Sequence, residues 1–470
     1  MSNILRSNFT PGSSVKPLIN IGCLFDIPTG TYETGKHGES ILNGGLGILT
    51  AIVGIGNNFK STIAHYQMLS ALSKIFPMFE TSLSTYDTET NIHESRLAEL
   101  SQSFEIFKDR NIIDEGIWVV TDKSIYSGNK WYERLKEYIQ TKKDHMKEIT
   151  AEYPFLDRDG KTPIYGAVPT FGELDSLTEW TSEDILKMQS ENELGESGAN
   201  ALHARLGLAK TRLLMELPDR TVPVNHYLMT TAQLGKDLAM STGPIPTPPN
   251  KKLTYLKNGD KINGVGGKFF YAMSNVWHVY NAYPLFNQST KGEEYPLDRG
   301  DDRKGSTDLN VVMLRQLRSK SGLTGIVLEL IVSQSEGVLP TLTEFHYIKN
   351  MNRFGLGGNN INFHLDLYPD VNLTRPTIRS KINEDPRLCR AINITSELCQ
   401  MVEIRTKIDR SLLCTPKELF DDLKAMGYDW DTILQTRGWW TINNDQHPVP
   451  FLSTMDLLKM RKGLYRPYWM

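Results

Sequence analysis

The sequence predicts an α/β fold, a mostly parallel sheet flanked by helices, on three observations. Apolar runs of strand length recur along the chain, stretches with helical spacing separate them, and one strand-to-helix junction carries a glycine- and asparagine-rich turn. That junction is the most informative part. Leu46 to Gly54 reads as a buried strand, and Ile63, Tyr66, Leu69, Leu72, Ile75 and Phe76 then recur at helical spacing. Between them stand Gly54, Ile55, Gly56, Asn57, Asn58, Phe59, Lys60, Ser61 and Thr62, a near P-loop. A turn of this kind at a helix N-terminus offers backbone N–H groups to phosphate oxygens, with a lysine for the β- and γ-phosphates and a hydroxyl for Mg²⁺. Lys60 and Ser61 suit those tasks. Phe59 stands where the usual motif has glycine.

The bulk properties narrow the classes. A chain of 470 residues suits two or three domains, and 39% hydrophobic with 23% charged residues is ordinary globular composition. A net charge of −3 excludes a generally basic nucleic-acid coat, so nucleic-acid contact has to come from a local basic strip. Cys23, Cys389, Cys399 and Cys414 lack metal-type spacing and read as reduced thiols of a cytoplasmic protein. The N-terminus does not resemble a signal peptide, and no apolar run approaches the roughly 18 residues of a membrane span.

Taken in order, residues 1–45 read as an N-terminal arm, polar to about residue 17, followed by a glycine-rich hairpin or loop. After the turn and its helix, Glu80 to Glu89 alternates polar and apolar residues and ends in Asp87 and Glu89. Acids at the C-terminal end of a parallel strand lie on the edge where nucleotides bind. Glu89 is therefore the candidate for positioning an attacking water; the alternative is a helix cap before residues 91–100. Gly116 to Val120 reads as a short strand, and Trp131 to Ile149 as a long helix with a solvated face. Thr162 to Pro169 is expected to be the next central strand. The place of a Mg²⁺-binding aspartate then falls on Pro169, which predicts slow hydrolysis unless Glu173 or Asp175 substitutes.

Further on, Ala201 to Glu216 reads as a helix with Arg205, Lys210 and Arg212 on its outer face, and Val224 to Thr231 as a strand continuing into Ala232 and Gln233. The stretch from Leu234 to Lys268 holds Lys236, Lys251, Lys252, Lys257, Lys261 and Lys268, a basic loop suited to phosphate backbones. Phe269 to Tyr283 returns to a helix-to-strand pattern. Val311 to Lys320 and Ile326 to Val332 predict an antiparallel hairpin. Residues 365–384 read as a linker, and 359–470 as a small C-terminal α+β domain. In it, Thr415, Pro416 and Glu418 form a capping-box start.

The order of these motifs resembles that of the RecA family, and within it the phage recombinases of the UvsX kind. Asn58-Phe59-Lys60-Ser61 and Tyr86-Asp87-Thr88-Glu89 are similar to that group. Glu191 to Ser197 resembles the family's first DNA-binding loop, and Gly264 to Ala272 the end of the second. The resemblance implies a RecA-like P-loop NTPase core over 46–358 that binds ATP and Mg²⁺ and assembles as a helical homo-oligomeric filament on single-stranded DNA. Residues 1–45 would include the polymerisation segment. Double-stranded DNA, single-strand-binding proteins and mediators are the implied partners, in the cytoplasm of a bacterial host. By the same resemblance Lys60, Ser61 and Thr62 bind the triphosphate and Mg²⁺, Glu89 activates water, and Thr231 or Gln233 senses the γ-phosphate. Arg318 and Lys320 reach a neighbouring subunit's ATP, while Arg205, Lys236, Lys251, Lys252 and Lys268 meet DNA. Two other readings stay open. One is a hexameric replicative helicase, whose usual large N-terminal domain has only about 45 residues to match it here. The other is a weakly hydrolysing ATP-gated DNA-binding scaffold, which Pro169 favours.

Overall fold

The computed structural model describes residues 15–191, 199–236, 255–256, 260–263, 265, 268–297, 304–404 and 408–470. One helical turn, α1 (Asp26–Thr29), leads into an antiparallel hairpin of β1 (Thr31–Thr34) and β2 (Ser40–Asn43). The apolar run then forms β3 (Leu49–Gly54), buried at every position. Both its faces are covered, which is why its sequence is apolar but for Thr50 and does not alternate. Ile52 faces one core cluster with α2 (Lys60–Ile75), while Leu49, Ala51 and Val53 face another on the opposite side.

The chain continues through β4 (Leu83–Asp87), α3 (Glu94–Ser101), β5 (Trp118–Asp122) and α4 (Gly128–Asp144). A separate antiparallel hairpin follows, β6 (Thr150–Leu156) with β7 (Pro163–Ala167), before β8 (Thr170–Asp175), α5 (Glu183–Glu191), α6 (Ala199–Thr221) and β9 (His226–Lys236). Then come β10 (Asp260–Ile262), α7 (Lys268–Ala272), β11 (Asn275–Pro284), β12 (Leu309–Ser319), β13 (Val327–Ser333) and β14 (Gly337–Val338). The large sheet has the order β14-β13-β12-β11-β3-β9-β8-β4-β5, and β10 pairs with the far end of β9. From β11 to β5 every pairing is parallel; β12, β13 and β14 extend the sheet antiparallel, with β12 and β13 forming the expected hairpin. The result is a mixed α/β fold with a large, mostly parallel central sheet flanked by helices.

Three expectations are corrected. The stretch ending at Pro169 is not the central strand. Asp159 accepts hydrogen bonds from the Lys161 and Thr162 backbone and the Thr162 hydroxyl, at 2.5 to 2.9 Å, and this turn folds β7 back on β6. Pro169 precedes β8, in keeping with its missing N–H, and the strand's C-terminal residue is Asp175. Lys210 is not on an outer face: it is fully buried and donates to the Thr178 carbonyl at 2.5 Å. Residues 365–384 are not a linker, since β16 (Asn362–Leu365) pairs with both β15 (Leu356–Gly358) and β17 (Tyr368–Thr374), and α9 (Ile378–Glu384) follows.

The C-terminal elements α8 (Pro340–Asn350), α10 (Pro386–Glu403), α11 (Pro416–Ala425), α12 (Trp430–Leu434) and α13 (Thr454–Arg461) build a further core cluster. Ile27, Leu42, Leu309, Val311 and Ile331 share it, so the N-terminal hairpin and the antiparallel end of the sheet pack there too. Thr415 and Glu418 close the reciprocal capping box that their spacing predicts.

Candidate functional site

Sheet register decides which side chains meet. Gly54 on β3 is level with Gln233 on β9, Ile52 with Thr231, and Asp87 on β4 with Asp175 on β8. All four strands are parallel, so these residues lie on one edge, the carboxyl edge where ligands bind in open α/β sheets. The N-terminus of α2 opens onto that edge. A cavity of about 430 Å³ results, lined by residues 56–62, Glu89, Asn91, Asp175, Ser176, Thr231 and Gln233.

The turn is held from below. Asn58 is buried, and its side-chain amide donates to the Val279 carbonyl of β11 at 3.0 Å. Asn57 and Phe59 have φ of 53° and 58°. A left-handed conformation at a bulky residue costs about 1–2 kcal/mol, and at Phe59 it is offset by packing of the ring against the main core. Gly54 is required by close approach, because a Cβ there would meet the Val279 carbonyl oxygen at 2.8 Å.

Polar groups converge on the cavity from both sides. Lys60 Nζ donates to the Ile55 carbonyl at 2.5 Å. Burial lowers its pKa, while Asp175 and Glu89 pull the other way. The Thr231 hydroxyl donates to Asp175 Oδ1. Glu89 Oε1 accepts from Ser176 Oγ at 3.2 Å and from Gln233 Nε2 at 3.4 Å, and Oε2 from Asn91 Nδ2 at 3.2 Å. Asp87 does not face the cavity chemistry. It accepts from the backbone N–H groups of Glu89, Thr90, Asn91 and Ile92 at 2.7 to 2.9 Å, building the turn that carries Glu89. Thr231 and Gln233, indistinguishable in the sequence, thus have different tasks: Thr231 fixes Asp175, and Gln233 touches Glu89.

The donor set suits a triphosphate with a divalent cation. A lysine, two hydroxyls and a helix N-terminus stand on one side, and two carboxylates on the other. Of the residues named from the sequence, Lys60, Ser61, Thr62 and Glu89 line this cavity. Asp175 was legible only as a substitute, and Ser176 and Asn91 were not foreseen. The signal for Asp175 was Pro169 itself, which opens a strand more readily than it ends one.

Arg318 and Lys320 lie outside this cavity. Arg318 Nε donates to the Met273 carbonyl and Lys320 Nζ to that of Ala272, both at 3.4 Å, so the two cations sit together at the end of α7. Burial, with Arg318 adding to it, lowers the Lys320 pKa. Lys268 is exposed, its amine 5.9 Å from the ring of Tyr271, which is itself 71% exposed. Arg205 is exposed on α6. Lys236 ends β9, though its side chain is outside the described residues, as are Lys251, Lys252, residues 192–198, and Gly264, Gly266 and Gly267. No protein-family model matches the chain, and no curated protein matches it. Among the described residues no helix is long and apolar enough to cross a membrane.

Proposed function

We propose that the chain is an ATP-dependent recombinase of the RecA kind, closest to the UvsX-like phage proteins, with a P-loop NTPase core that forms filaments on single-stranded DNA. One observation carries the reading: the Lys60–Ser61 turn, Glu89, Asp175, Thr231 and Gln233 converge in one cavity on the carboxyl edge of a parallel sheet. Lys60 and the turn's backbone bind the phosphates. Ser61 and Asp175 are the residues to hold Mg²⁺, which when bound neutralises phosphate charge and polarises the terminal phosphoryl group. Glu89 orients the attacking water, held by Ser176, Asn91 and Gln233. Gln233 lies on the strand that runs on to Lys236 and the lysine-rich stretch, so it is the group to report nucleotide state to DNA. Arg318 and Lys320, remote from their own cavity, suit a neighbouring subunit's phosphates.

The weakly hydrolysing scaffold loses its motive now that β8 ends in Asp175, and hydrolysis at an ordinary rate is expected. A ring-shaped helicase built on the same core differs in assembly. Electron microscopy of the full chain with single-stranded DNA, ATP and Mg²⁺ tests the proposal: helical filaments are expected, and closed rings would favour the helicase. Lys60→Ala should abolish both nucleotide binding and ATP-dependent assembly; unchanged filaments in that variant would refute nucleotide gating.

A further inference from the structure

Beneath the cavity, α2 and β8 meet through buried polar side chains that the nucleotide chemistry does not use. Glu173 lies two residues before Asp175, so both project from one face of β8, and His65 stands on α2. His65 Nδ1 is 3.0 Å from Glu173 Oε2. His65, Glu173 and Asp175 are only 6%, 1% and 8% exposed, and one ligating atom of each lies within 4.8 Å of the other two. Glu173 Oε2 is satisfied twice, by His65 and by the Thr85 hydroxyl at 3.2 Å. Its Oε1 is buried without a hydrogen-bond partner among the described residues, an unfavourable arrangement for a carboxyl oxygen. Thr85 is itself fixed by Trp118 Nε1 at 2.8 Å, the kind of outer support that orients metal-ligating carboxylates. Two donor atoms about 2.1 Å from one tetrahedral ion stand about 3.4 Å apart, so the 3.0 Å between His65 Nδ1 and Glu173 Oε2 needs only a few tenths of an ångström of opening.

We propose that His65, Glu173 and Asp175 form a second cation site, distinct from that of the nucleotide's Mg²⁺, for a divalent transition ion. An imidazole ligand in a set with two carboxylates suits Mn²⁺, Co²⁺ or Zn²⁺, whereas Mg²⁺ keeps to oxygen donors and water. Loading exchanges the hydrogen bond between His65 and Glu173 for shared ligation, releases any proton on Nδ1 to solvent, and gives Glu173 Oε1 a positive neighbour. Asp175 then contributes to both ions, so the deeper one fixes the carboxylate that faces the nucleotide. The inference rests on the nucleotide reading only for that shared role; the ion site itself does not.

The test uses the full chain, stripped with a chelator and titrated with Co²⁺ in the absence of nucleotide. One equivalent should bind with the intense visible absorption of nitrogen-ligated cobalt of low coordination number. It should also quench tryptophan fluorescence, since the Trp118 ring is 5.5 Å from that of His65. Excess Mg²⁺ should not displace it. His65→Leu and Glu173→Gln should each weaken cobalt binding at least tenfold, while Lys60→Ala should lose nucleotide and keep cobalt. Should His65→Leu not fold, the wild-type spectrum and Glu173→Gln decide. A pale spectrum, displacement by Mg²⁺, or equal cobalt affinity in wild type and Glu173→Gln would overturn the site. ATP binding to the same samples is measured separately: cobalt without ATP would refute the nucleotide reading alone, and ATP without cobalt would refute this site alone.

Discussion

At the residue scale, the proposed chemistry turns on how a few carboxylates are held. Glu89 accepts three side-chain hydrogen bonds but faces the cavity, so Glu89→Gln should leave ATP binding near wild type and lower kcat by about a hundredfold or more. Single-turnover hydrolysis with a separate binding measurement checks this. Thr231→Val removes the hydroxyl that fixes Asp175. About a tenfold fall in kcat is expected, with a higher Mg²⁺ requirement, because a loosened ligand holds its ion less well. Gly54→Ala drives a methyl group toward the Val279 carbonyl and Lys60 Cδ; nucleotide affinity should fall at least tenfold, read by fluorescent-nucleotide titration. The turn residues were legible because the motif is local. Asp175 was legible only as a substitute, since its partner Thr231 lies 56 positions away and only register brings the two together.

At the scale of elements, the sequence was most readable where one periodicity governed a stretch. The β12–β13 hairpin, the α7-to-β11 transition and the Thr415 capping box all follow from local pattern. Removing that cap with Thr415→Ala should cost about 1 kcal/mol, seen as a lower denaturation midpoint. The strand near residue 165 was misread because apolar content is shared by a peripheral hairpin and a central strand; only the Asp159 turn and Pro169 separate them. Lys210 was misplaced because its charge was weighed above its spacing, which sets it on the buried face of Leu213, Leu214 and Leu217, with the Thr178 carbonyl from another segment accepting from its amine. Burial pushes the Lys210 pKa down to about 8.

At the scale of the whole molecule, the N-terminal segment, α2 and the C-terminal helices meet at buried charges. Glu344 lies among Asp26, Glu397 and Arg390, and burial pushes its pKa up to about 8, with Glu397 and Asp26 adding and Asn393 and Arg390 opposing. Its ordinary value is 4.5. Between these values the unfolded chain is ionised while the folded chain retains its proton, so this group makes stability fall as pH rises from about 4.5 to about 8. Glu344→Gln should abolish that slope. The variant should be more stable than wild type at pH 8 by on the order of 1 kcal/mol, and not at pH 5, by urea denaturation.

The same junction bears on α2. Its last turn is gripped from the C-terminal region: the Thr441 hydroxyl donates to the Lys74 carbonyl at 2.8 Å, and Trp440 packs into the α2 core cluster. Its first residue is Lys60. A helix of 16 residues is a stiff rod about 24 Å long, with Lys60 at one tip and the contacts of Trp440 and Thr441 at the other. A tilt of such a rod about Trp440 would be magnified at the lysine, and the segment holding Trp440 and Thr441 would resist it.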